Sequence, residues 1–252
     1  MAAPSTQDQT VRYSTPNVAN SPQAQSLPWE RPIPITPFWS TIKFSIARNF
    51  LANFTPQELS HLPINSASTA DTNDKLTLLL QILNTTLSSK ESACSPAPLH
   101  ETDHPTWSAL QLSISSTQSE LGRLPEAEQT LRLMADKRAD KSNLSPFHPL
   151  AEILLRGGRY AEAEKIEREV CDWMDSHLNL GRESPQALGA RRIIAEAVWM
   201  QGVERRGEAE GLVQEIWEII GGMEGGRFAV YKEEEMGLMG GLVGRLEGRG
   251  EM

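Results

Sequence analysis

His100-Glu101-Thr102-Asp103-His104 is the stretch whose residue types and spacing most directly spell chemistry. Two imidazoles one helical turn apart can converge on zinc while the glutamate between them activates a water. That chemistry needs a continuous helix. Here Pro96, Pro98 and Pro105 flank the motif, and a proline directly after His104 disfavours helical geometry at that histidine. Asp103 also puts a charge where such a helix faces its core, so the match is read as spurious and no metal is expected. Cys171 is the next candidate. Its spacing groups it with Glu164, Arg168 and Asp175 on what reads as a solvated stripe, and His177, six residues on, falls on another side of the helix and cannot serve that thiol as base. Cys94 sits in a linker. No glycine-rich phosphate loop follows a strand, and no cofactor or catalytic residue is assigned.

The elements that must position any site are helices. Gly158-Arg159-Tyr160-Ala161-Glu162-Ala163-Glu164 is echoed upstream by Gly122-Arg123-Leu124-Pro125-Glu126-Ala127-Glu128 and more loosely downstream by Arg205-Arg206-Gly207-Glu208-Ala209-Glu210. The Glu-Ala-Glu triplets begin at residues 126, 162 and 208, and Pro105, Pro146 and Pro185 open the helices before them. Helix-hairpin repeats run about 34–47 residues. Each triplet alanine has a small residue upstream, as Ser115 with Ala127, Ala151 with Ala163 and Ala195 with Ala209, which suits two helices crossing closely. The last of these spacings fits if the third turn carries two extra residues around Gly202-Val203.

Leu180-Gly181-Arg182-Glu183-Ser184-Pro185-Gln186-Ala187-Leu188, together with the Gly158 turn, resembles tetratricopeptide repeats, and more narrowly the kinesin-light-chain variety. His104-Pro105 and Ser145-Pro146 match that opening in part. The resemblance covers Pro105 to Gly221. It implies an all-α fold, a right-handed superhelical stack of helix hairpins, preceded here by an N-terminal helical extension. It also implies that an extended peptide or another protein binds in a concave groove lined by first helices. Carried over by register, the groove would hold Leu112 and Ser116, then His148, Glu152 and Arg156, then Arg192, Glu196 and Trp199, with Arg192 and Trp199 placed to grip an acidic and apolar segment.

The resulting division is a disordered Pro/Ser-rich leader over 1–36, a helical extension over 37–90, a linker over 91–104, three hairpins over 105–226 and a capping helix over 227–247. In the extension, Phe38, Trp39, Ile42, Ile46, Phe50 and Phe54 recur at helical spacing after Thr36-Pro37 and read as core, the alternatives being a membrane-surface or partner-binding helix or a homo-oligomer contact. Thr55-Pro56-Gln57-Glu58 is a capping box. Leu76, Leu79, Leu80 and Leu83 mark a helix over Asp74 to Leu87. In the last helix Phe228, Tyr231, Leu238, Met239, Leu242 and Leu246 share one side, with Glu233-Glu234-Glu235 as its wet face.

A net charge of −9 argues against nucleic acid as a partner. No apolar run is long enough for a transmembrane helix, and two cysteines suit a reducing, cytoplasmic setting. The function these features lead one to expect is a non-catalytic adaptor or scaffold. The alternative is an accessory protein or cryptic enzyme of a small-molecule pathway, of the secondary-metabolite type, working from a pocket between the N-terminal helices and the solenoid.

Overall fold

Residues 10–64 and 70–248 are described by a computed structural model. The first nine residues of the expected leader, and 65–69 of the Ser/Thr/Asn-rich loop, lie outside the described residues. Helices dominate, and neighbouring helices pack against one another. The chain forms two units, Met1–Arg123 and Leu124–Met252. The division falls after Arg123, not after residue 104, so the helix that opens the expected repeats is built into the first unit.

The first unit begins with a two-residue strand, β1 (Val11–Arg12), a four-residue helix, α1 (Pro22–Gln25), and a second short strand, β2 (Ile33–Pro34), antiparallel to the first with Val11 opposite Pro34. The leader is therefore not disordered from Thr10 onward. Pro16 and Pro22 open helical turns capped by Thr15 and Ser21, and Val18 and Ile33 are fully buried. Arg12 Nη2 donates to the carbonyls of Trp39 and Ile42 at 2.9 and 2.5 Å, which ties the leader to the start of the aromatic segment. Single anchors of this kind have no period to read.

Next come a 3₁₀ turn at Trp39–Thr41, α2 (Phe44–Leu51), α3 (Pro56–His61), α4 (Thr72–Cys94), α5 (Leu99–Thr102) and α6 (His104–Glu120). The helix expected from Pro37 is interrupted at Ile42, whose backbone is extended. Its six apolar residues are nevertheless all buried, against Leu76, Leu79, Leu80 and Leu83 of α4 and Leu110 and Ile114 of α6. That face is core and offers nothing to a second copy. The capping box forms as spelled, with Thr55 Oγ1 accepting from the Glu58 amide and Glu58 accepting from the Thr55 amide. Helix α4 runs seven residues past Leu87, and α5 comes after it, so much of the expected linker is helical.

The second unit holds α7 (Leu124–Lys137), α8 (Phe147–Arg156), α9 (Tyr160–Ser176), α10 (Pro185–Trp199), α11 (Arg206–Gly222) and α12 (Lys232–Leu246). Helix α10 is central to it and packs on α8, α9, α11 and α12. Gly158 takes φ +75° to end α8, with the Arg159 and Gly158 amides donating back to Leu154 and Leu155. The same pair of bonds closes α6 at Gly122, a Schellman stop that an L-residue would strain. Ser115, Ala127, Ala151, Ala163, Ala195 and Ala209 are all buried. The third turn does carry extra residues, as a 3₁₀ turn over Val203–Arg205.

The glutamates of the triplets make a feature that repeats in three dimensions. Glu128 and Glu162 are bridged by Arg132 and by Arg159, through contacts that include Arg132 Nη2 to Glu162 at 2.7 Å and Arg159 Nη1 to Glu128 at 2.6 Å. Glu164 and Glu208 are bridged in the same way by Arg168 and Arg205, with Arg168 Nη2 to Glu208 at 2.7 Å and Arg205 Nη1 to Glu164 at 2.5 Å. In each ring one arginine lies a helical turn after the first glutamate and the other lies three residues before the second. One four-membered ring thus occurs twice, at successive turns.

Candidate functional site

Helices α8, α10 and α12 leave an open groove of about 510 Å³ between them. This is within the range of about 300–1,000 Å³ usual for ligand sites. From α8 it is lined by His148, Glu152, Leu155 and Arg156, and from α10 by Gly189, Arg192, Ile193 and Glu196. Tyr160, Met200, Leu238 and Arg245 complete the wall. Spacing of three or four residues along α8 and α10 turns each set to one side of its helix.

The polar groups at the floor are paired from behind. His148 Nδ1 meets Glu167 Oε1 at 2.5 Å. Glu167 lies on α9 and its side chain is fully buried, with Oε2 left without a hydrogen-bond partner. Burial pushes the Glu167 carboxyl up from its ordinary value, and His148 opposes that rise. For His148, burial works against the imidazolium, but the Glu167 charge and hydrogen bond outweigh it, so the ring holds its proton above the ordinary histidine range. The two therefore titrate as a unit that keeps a proton between them. Arg192 Nη1 is bound to Glu235 of α12, a carboxyl buried to 2 % exposure and raised by that burial against the pull of Arg192. Arg245 Nη2 holds Glu196 at 2.8 Å nearer the rim. Met200 and Leu238 stand about half exposed there, an apolar lip to a charged floor.

Of the residues expected in a groove, His148, Glu152, Arg156, Arg192 and Glu196 come together in this one. Leu112 and Ser116 do not belong to it. They lie on α6 in the first unit, where Ser116 Oγ accepts from Asn49 of α2 at 3.4 Å. Trp199 is the other departure. The Arg206 guanidinium stacks on its ring at 4.9 Å, where the chain turns into α11, so Arg192 and Trp199 form no common grip. Glu235 is buried rather than part of a wet face, and Leu238 is exposed rather than core.

The other residues singled out by type and spacing lie elsewhere. Asp103 leaves helical geometry at φ −145° and ψ 69°, so His100 and His104 stand on separate helices, each ring about 5.6 Å from that of Trp107. The zinc geometry is not built. Cys171 is not on a solvated stripe. It is buried beside Val170 and Met174, and burial pushes its thiol up to about 12. Glu164, expected on the same stripe, is also buried and is drawn down to about 2, chiefly by hydrogen bonds from Arg205.

Glu167, Gly189, Glu235, Leu238 and Arg245 were not assigned to a site by sequence reasoning. Two of them carry a signal. Glu167 sits in the run Ala163, Glu167, Val170, Met174, and Glu235 in the run Glu235, Met239, Leu242. Each is an acid on an otherwise apolar helical face, which demands a partner when buried. No helix among the described residues is long and apolar enough to cross a membrane. Comparison of the chain with protein-family models, with curated proteins and with solved structures gives no match.

Proposed function

We propose that the chain is a tetratricopeptide-like adaptor whose helices α8 to α11 are stacked hairpins, and that the groove between α8, α10 and α12 binds a segment of a partner protein. The observation that carries the reading is the convergence of His148, Glu152, Arg156, Arg192 and Glu196, five residues placed by repeat register alone, on one open groove. The repeated Glu–Arg rings and the paired glycine stops at Gly122 and Gly158 support the repeat part of it. Helix α12 takes the role of capping helix, burying Met239 and Leu242 and adding one wall to the groove. The two unpaired cysteines, Cys94 and Cys171, support a cytoplasmic setting.

A groove with an apolar lip and a paired charged floor suits a short segment that buries a few apolar side chains and satisfies polar groups at fixed points. The test is affinity purification from the native cell, with wild type beside Glu152→Lys/Met200→Asp. Both positions are exposed, so helical content and melting should hold. A partner released by the double variant supports the groove. A partner retained at wild-type level removes it.

A further inference from the structure

We infer that the space above Gly189 is a seat for a carboxylate, held between His148 Nε2 and the Arg192 guanidinium, and that it fills when His148 carries its proton. This rests on the groove reading above and names the chemistry of one point within it.

Gly189 lies inside α10, and what surrounds it is the reason for the assignment. A Cβ there would lie 3.6 Å from Arg192 Nη2, 3.6 Å from His148 Cε1 and 3.7 Å from His148 Nε2. Two nitrogens from different helices therefore border the same small space, which no side chain fills. Each is fixed from behind. His148 Nδ1 is engaged by Glu167, and Arg192 Nη1 by Glu235, so Nε2 and Nη2 remain on the side facing the groove. Two positioned donors about a shared point suit the two oxygens of a carboxylate. The charged groups that bear on the His148 ring are Glu152 of its own helix, Glu167 from α9 and Arg192 from α10. Where Nδ1–H donates to the Glu167 carboxylate, a neutral ring presents a lone pair at Nε2 and repels a carboxylate. Only the imidazolium donates from both nitrogens, so occupation of the seat and protonation are linked. Ile193, Met200 and Leu238 nearby favour an acid on an apolar body, such as an Asp or Glu flanked by apolar residues in the partner segment.

Phenylacetate, with the neutral phenylacetamide as its control, is the probe. The readout is the His148 ring signal by NMR in the full chain, followed from pH 5.5 to 8.5. The expected result is a saturable shift with phenylacetate and none with the amide, an upward move of the ring's titration when the acid is bound, and an affinity falling about tenfold per pH unit once the free ring has lost its proton. Gly189→Ala should weaken binding at least about tenfold at every pH, since its methyl group enters the space between the two donors. Glu167→Gln should weaken it at neutral pH and restore it in acid. Equal binding of the amide, pH-independent binding, or unchanged binding by Gly189→Ala overturns the seat. If phenylacetate leaves His148 unmoved while Glu152→Lys/Met200→Asp still releases the partner, the seat falls and the groove stands. If phenylacetate moves His148 while that variant retains the partner, the groove reading falls and the seat stands alone.

Discussion

Gly158→Ala and Gly189→Ala are the same chemical change with opposite expected signs. Gly158 ends α8 at φ +75°. An L-residue forced into that left-handed region loses roughly 1–2 kcal/mol. The methyl group itself meets only the Tyr160 ring, at 3.9 Å, so backbone strain is the whole cost. Gly189 sits five residues into α10, in ordinary helical conformation. There alanine gains about 1 kcal/mol of helix propensity over glycine. Its Cβ finds three side-chain atoms at 3.6–3.7 Å, ordinary contact with no overlap. The two variants should therefore differ by roughly 2–3 kcal/mol, with wild type between them. Urea unfolding of the full chain, monitored by circular dichroism, measures the difference as a shift in midpoint at constant slope. Stabilisation by Gly158→Ala would refute the turn geometry. Destabilisation by Gly189→Ala would refute the open space on which the carboxylate seat depends.

Buried titratable groups give two further expected outcomes. Glu167 and His148 are both raised above their ordinary values of 4.5 and 6.5, so the stability each contributes is present at low pH and lost as pH rises through its folded value. The second unit should accordingly melt higher at pH 6 than at pH 8, and Glu167→Gln should flatten that dependence; a melting temperature rising over the same interval would contradict the pairing. Cys171, buried with its thiol near 12, should resist iodoacetamide at pH 8 while half-buried Cys94 reacts, as peptide mass spectrometry can show. Equal labelling of the two in the folded chain would place Cys171 at the surface after all.

The features legible in the sequence were those with a local cause. Thr55 and Glu58 cap α3 because three residues suffice to close that box, and Ser184 before Pro185 starts α10 by the same kind of bond, accepting from the Ala187 amide. Ala151 and Ala163, and Ala195 and Ala209, are buried on the helix pairs their spacing links. What escaped depends on contacts far along the chain. The ordered leader rests on Arg12 reaching Trp39 and Ile42, some thirty residues on, and on single buried anchors at Val18 and Ile33. Helix α4 continues through Ser88–Ala93, a polar stretch with no apolar period to mark it. In the groove, spacing sets which residues share a side of α8 and of α10, but it could not show that α12 would supply Leu238 and Arg245. Nor could it show that Arg206 would take Trp199. Glu167 and Glu235 each interrupt an apolar face, and each holds one of the two side chains that border Gly189.

Site-specific photo-crosslinking in the native cell tests the groove most directly. A benzoylphenylalanine placed at Met200 or at Leu238 stands on the lip, and the same group at Leu178, which is 93 % exposed and outside the groove, serves as the control. The account predicts one shared adduct from Met200 and Leu238, absent from Leu178 and competed away by a peptide of the captured segment. The same adduct from all three positions, or adducts from Leu178 alone, would contradict it.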